Sequence, residues 1–225
     1  MNAKNQSILD TAVGFQSQSL NLQGIVSSPL QSQGRLPALL ICHPHPMFGG
    51  DMDNPVVRAI CLEACSNQFV CLRFNFRGAG ASEGMFDHGI GEQHDLQSAL
   101  ELLKNWPAVD RKKVGVVGYS FGANVILDSY KNCKSVQAFA FVAPSVSSVK
   151  NRSIAKDKRP SLFISGQQDK ISPPTILKQE LNSISPGTKI FEIHNADHGL
   201  AGAESIVAKK VVGFLKDTII KQGAQ

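Results

Sequence analysis

Val114-Gly115-Val116-Val117-Gly118-Tyr119-Ser120-Phe121-Gly122 is the stretch that decides the fold of this chain. A short apolar run ends in the pattern G-x-S-x-G, and a helix-like stretch from Ala123 to Lys131 follows it. This context predicts a buried strand, a sharp turn and a helix. A serine on such a turn stands clear of the sheet, and glycine at Gly118 and Gly122 tolerates the close backbone approach on either side. The helix that begins there aims its free N–H groups at any negative charge forming near Ser120. Ser120 is therefore the candidate nucleophile.

A serine hydroxyl is a weak nucleophile at neutral pH and needs an imidazole to take its proton and a carboxylate to hold that imidazole. With a nucleophile on a strand–turn–helix, the chain order is nucleophile, acid, histidine. Two histidines follow Ser120, His194 and His198. His194 closes the apolar run Lys189–Ile193 and reads as structural. His198 lies in the polar loop Asn195-Ala196-Asp197-His198-Gly199, where a rigid sheet presents catalytic groups, and is the candidate base. Asp169 ends the apolar run Leu162–Ser165, just before Pro173-Pro174, and is the candidate acid. Asp197 is its rival, but adjacent side chains diverge, so it is poorly placed to hold His198. Asp157 sits in a charged stretch and reads as solvated.

Acyl transfer also needs two donors for an oxyanion, one of them the N–H of the residue after the nucleophile, Phe121. The second should come from the loop after the apolar run Ala38–Cys42, which reads His43-Pro44-His45-Pro46-Met47-Phe48-Gly49-Gly50. Pro44 and Pro46 have no N–H, so His45 and Met47 remain.

Three stretches together resemble the α/β-hydrolase superfamily: Ile41–Asn54 with its His-Pro-His-Pro start, Arg73–Gly84 with Arg77-Gly78-Ala79-Gly80, and Gly118–Gly122. The chain is most similar to a small, lidless branch related to dienelactone hydrolases and serine aminopeptidase-like proteins, from about Gly14 to Leu215. The resemblance implies a Ser-His-Asp hydrolase with Ser120, Asp169 and His198 in those roles, no cofactor, and the His45 main chain as the second oxyanion donor. Arg77–Gly84 is not a dinucleotide loop, because its spacing misses G-x-G-x-x-G by one residue. It reads as a tight loop beside the site, shaped by Asn75 and Arg77, serving either as a pocket wall or as architecture alone.

The fold expected is α/β: one α/β-hydrolase domain over residues 1–225, with its core at about 14–219. It should have a mostly parallel sheet covered by helices on both faces, an N-terminal antiparallel hairpin and no substantial lid. The hairpin is read from the alternation in Gly14–Leu20 and Leu22–Val26. Strands are expected at Ala38–Cys42, Val70–Phe74, Lys113–Val117, Ala138–Val142, Ser161–Ile164 and Lys189–Ile193. Helices are expected at Asn54–Asn67, Gly91–Asn105, Phe121–Lys131, Pro174–Ile184 and Ala203–Ile219. Ala143–Arg159 is too short and polar for a lid, which implies an open, shallow site that Met47, Phe86 and Phe191 could line.

A hydrophobic fraction of 42% and a charged fraction of 18% over 225 residues are ordinary for a globular domain. No apolar run is long enough to span a membrane, and the polar start Met1–Ser7 carries no signal core. The net charge of +5 is scattered with little aromatic interleaving, so it reads as a solvated surface and not as a nucleic-acid site. The five cysteines sit mostly in apolar runs and read as small buried hydrophobes in a reducing cytosol. Oligomeric state is not set by the sequence.

Three functions compete. The first is a serine hydrolase acting on a small-molecule acyl substrate, foremost a carboxylic ester, with thioester or short peptide amide as alternatives. The second is a metal-dependent hydrolase using His43, His45, Asp51 and Asp53, disfavoured because His43-x-His45 at a strand end points its rings to opposite faces. The third is a non-catalytic binding protein on the same fold.

Overall fold

The computed structural model describes residues 8–150, 157–181 and 188–220. The ends of the chain, most of the Lys150–Arg159 stretch and the end of the helix expected at Pro174–Ile184 lie outside the described residues. Eight strands form one sheet: β1 (Ile8–Ser17), β2 (Leu20–Pro29), β3 (Leu36–Cys42), β4 (Val70–Phe74), β5 (Val109–Tyr119), β6 (Ala138–Val142), β7 (Ser161–Gly166) and β8 (Thr188–Ile193). Their spatial order is β1-β2-β4-β3-β5-β6-β7-β8. β1 pairs antiparallel with β2, and β2 with β4; every later pairing is parallel. This is the α/β-hydrolase architecture, with the expected hairpin at one edge.

The helices are α1 (Pro55–Ser66), α2 (Gly91–Asn105), α3 (Phe121–Asp128), α4 (Val146–Lys150), α5 (Pro174–Leu181) and α6 (Glu204–Ile219). They divide over two faces because the central strands are apolar on both sides. In β3, Ala38, Leu40 and Cys42 pack toward α2 and α3, whereas Leu39 and Ile41 pack toward α1 and α6. Strands buried on both faces are what parallel βαβ units require.

Several elements depart from their expected boundaries, four of them for reasons visible in the structure. β1 begins at Ile8, earlier than the alternation suggested, since an edge strand can be half exposed and still pair along its length. β5 begins at Val109, through the polar Asp110-Arg111-Lys112, because Leu36 pairs with Val109 across a bulge. α3 stops at Asp128 and the chain tightens into a 3-10 turn at Tyr130–Asn132. Within Ala143–Arg159 the five-residue α4 forms, seated on the core through Val149. Asp157 is not simply solvated: it accepts from Arg159 Nε at 2.9 Å, and that guanidinium lies 4.7 Å from the centres of both the Tyr130 and Phe139 rings.

The Arg77–Gly84 loop is architectural. Arg77 donates to both oxygens of the buried Asp95 on α2 (Nη2–Oδ1 2.8 Å, Nε–Oδ2 3.0 Å). Asn75 accepts at Oδ1 from Met52 N–H at 2.7 Å, and its carbonyl accepts from Ser82 Oγ at 2.7 Å. Asn75 and Arg77 thus shape the loop as expected, but none of residues 77–84 reaches the cleft described below.

Candidate active site

The turn after β5 is held by sterics. A Cβ on Gly118 would lie 2.5 Å from Ala123 N, and one on Gly122 would lie 2.5 Å from the Cys42 carbonyl oxygen and 2.7 Å from that of His43. Backbone stands at each contact, so only glycine fits. Ser120 between them takes φ 51° and ψ −111°, a strained conformation for a residue with a side chain. Its N–H donates to the Val142 carbonyl at 2.8 Å, tying the turn to the end of β6.

Ser120 Oγ lies 2.9 Å from His198 Nε2, and His198 Nδ1 lies 2.8 Å from Asp169 Oδ2. Asp169 follows β7, and His198 follows β8. The Asp169 carboxyl is wholly buried, and its other oxygen, Oδ1, accepts from the N–H groups of Ile171 (2.8 Å) and Ser172 (2.7 Å). A carboxylate can only accept, so Nδ1 of His198 carries the proton and Nε2 is left to accept from the Ser120 hydroxyl. Tyr119, next to the serine, donates its hydroxyl to the His198 carbonyl at 2.9 Å and so fixes the histidine loop. Burial, with Asp169 nearby, pushes the Tyr119 hydroxyl up to about 12, which keeps it a neutral donor. The rivals stand apart: Asp197 Oδ1 accepts from Gly199 N–H within its own turn, and His194 is exposed.

The loop after β3 borders the same space. Met47 N–H donates to His45 Nδ1 at 3.2 Å. The His45 ring packs against Phe48, Phe86 and Phe121 with centroids 4.9, 4.7 and 5.0 Å away. His43 turns the other way. Its Nδ1 donates to the Pro44 carbonyl at 2.6 Å, and its Nε2 accepts from Phe76 N–H at 3.0 Å. Asp53 is paired with Arg73 at 2.7 Å, so His43, His45, Asp51 and Asp53 do not converge on a common point.

Burial lowers the His43 pKa to about 4, against 6.5 when unfolded. The folded ring refuses a proton that the unfolded chain accepts. The stability this preserves is therefore complete above pH 6.5 and is lost as pH falls from 6.5 toward 4. We expect about 3 kcal/mol of stability to disappear across that window, and a His43→Gln variant to lose much of the dependence, as read by urea unfolding at a series of pH values.

Ser120 and His198 open onto a cleft of about 580 Å³ that Pro44, His45, Phe48, Phe121, Asn124 and Ile171 also line. Phe48 and Ile171 are 87% and 60% exposed at its rim. Among the described residues, no Asp, Glu, Lys or Arg lines it. The three residues expected at the pocket are elsewhere. Met47 projects into solvent beside the cleft, and Phe86 forms a second layer behind His45 and Phe121. Phe191 lies on the opposite face of the sheet, under Lys210. Sequence reasoning missed Phe48, Asn124 and Ile171; their neighbours in the chain, His45, Ser120 and Asp169, were the available signal.

A family model described as PET hydrolase-like matches residues 98–222. An uncharacterized protein of Rickettsia prowazekii is 31% identical over 171 residues, covering 72% of this chain and 71% of that protein. An α/β serine hydrolase homologue from Coxiella burnetii superposes with a TM-score of 0.79 at 29% identity, over 91% of this chain and 96% of that one. A lidless α/β serine hydrolase from Xanthomonas campestris does so with a TM-score of 0.76 at 26% identity, over 95% and 94%.

Proposed function

This chain belongs to the PET hydrolase-like family, on the lidless branch of the α/β-hydrolase superfamily, and we propose that it hydrolyses a small, uncharged carboxylic ester through an acyl-enzyme on Ser120. The observation that carries this reading is the relay from Ser120 through His198 to the buried Asp169, at 2.9 and 2.8 Å, at the wall of an open cleft. His198 Nε2 takes the Ser120 proton as Oγ attacks the acyl carbon. Asp169 holds the ring and stabilises the imidazolium that forms. The N–H groups of Phe121 and His45 hold the oxyanion. His198 returns its proton to the leaving alcohol, and water, activated by the same imidazole, then releases the acid. No cofactor is needed for any of these steps.

Labelling with a fluorophosphonate tests this reading. The native protein should gain one phosphonyl group, located at Ser120 by peptide mass mapping, and a folded Ser120→Ala variant should gain none. A folded native protein that resists labelling would favour the binding-protein reading.

The lining, uncharged among the described residues, and the exposed apolar rim support a neutral acyl group over a charged one, since a fixed charge would meet no partner among them. Phe48 is exposed in the free protein and is free to gain apolar contact when an acyl chain arrives. Phe48→Ser is expected to lower kcat/KM for a hexanoyl ester about tenfold while barely changing that for an acetyl ester, in a chain-length series of nitrophenyl esters.

A further inference from the structure

Cys61, Cys65 and Cys71 form a cluster that the hydrolase reading does not use. Cys61 and Cys65 are one turn apart on the buried face of α1, and Cys71 rises from β4 beneath them. Their three sulfur atoms lie within 4.8 Å of one another, all buried. A cation held by three thiolates at about 2.3 Å needs sulfur–sulfur separations of about 4 Å, so closing this set takes only a slight contraction. Little is given up in doing so. Cys65 Sγ is 3.5 Å from the Ser27 carbonyl oxygen and Cys71 Sγ is 3.8 Å from that of Cys61, both long contacts to weak donors.

The cluster also has a way in. A small cavity of about 20 Å³, lined by Asp10, Ser27, Arg58, Cys61, Leu62 and Arg73, reaches Cys61, and Leu62 at its rim is half exposed. The two remaining cysteines, Cys42 and Cys133, pack on the other face of the sheet.

We propose that Cys61, Cys65 and Cys71 are a binding site for one soft d10 metal cation, remote in sequence and in fold from Ser120. An all-sulfur donor set selects thiophilic ions and offers nothing to magnesium or calcium. Binding makes three metal–sulfur bonds and releases three thiol protons to solvent; no electron is transferred.

Cadmium(II) is the probe. Titrated into the reduced full-length protein, it should raise the ultraviolet thiolate-to-cadmium absorption to a plateau at one equivalent with far-ultraviolet circular dichroism unchanged. Cys61→Ser and Cys71→Ser should each weaken binding at least tenfold, while Cys42→Ser and Cys133→Ser bind as the native protein does. If the serine variants fail to fold, the cadmium-113 resonance of the native complex decides: a three-sulfur shift supports the site, and a one- or two-sulfur shift overturns it. Absence of the band in folded protein, its growth only as the protein unfolds, or full retention in Cys61→Ser or Cys71→Ser also overturns it.

Discussion

Asp169→Asn is expected to lower kcat by about 10⁴-fold without unfolding the protein, because the substitution inverts the tautomer of His198. The N–H groups of Ile171 and Ser172 point at Oδ1 and demand an acceptor there, so an asparagine must place its carbonyl at that position. Its amino group then faces His198 Nδ1, 2.8 Å away in the native geometry, and donates to it. A neutral ring accepting at Nδ1 carries its proton on Nε2, aimed at Ser120, and cannot act as base. Steady-state kinetics on an activated ester, with thermal unfolding as the control for folding, checks this. A loss of less than tenfold would show that another group orients the ring.

Replacing Ser120 separates activity from strain. Ser120→Ala and Ser120→Gly should both abolish acyl-enzyme formation, since neither offers an oxygen. They should differ in stability. At φ 51° and ψ −111° any side chain is strained, and glycine alone is relieved of the cost, which is about 1 kcal/mol or more. Ser120→Gly should therefore melt about 2–4 °C above Ser120→Ala. Equal melting temperatures would mean that the turn is held without strain.

Much of this molecule is legible in its sequence, for physical reasons that can be named. Fully apolar runs such as Ala38–Cys42 and Ala138–Val142 have only one use in an alternating pattern, as strands buried on both faces. Gly118 and Gly122 mark the turn because backbone atoms of the neighbouring elements leave no room for a side chain. Asp169 and His198 could be placed because the strands before them end in polar loops. What was not legible depends on distant partners. Nothing local says that Phe48 reaches the cleft while Met47 beside it does not. Phe86 looks like a pocket residue until His45 and Phe121 are seen in front of it. The beginning of β5 at Val109 is dictated by its pairing with Leu36, and Asp157 is drawn into a half-buried pair by an arginine stacked on Tyr130 and Phe139.

The fit of Gly122 against the carbonyls of Cys42 and His43 has a consequence for heat. Because main chain rests on main chain there, the loop bearing His45 and the turn bearing Ser120 and Phe121 behave as one block. On warming, the two amides are expected to keep their spacing until the sheet itself gives way. Inactivation on heating is then expected to be an all-or-none event that coincides with melting of the whole domain, as residual activity and circular dichroism followed along one temperature ramp would show.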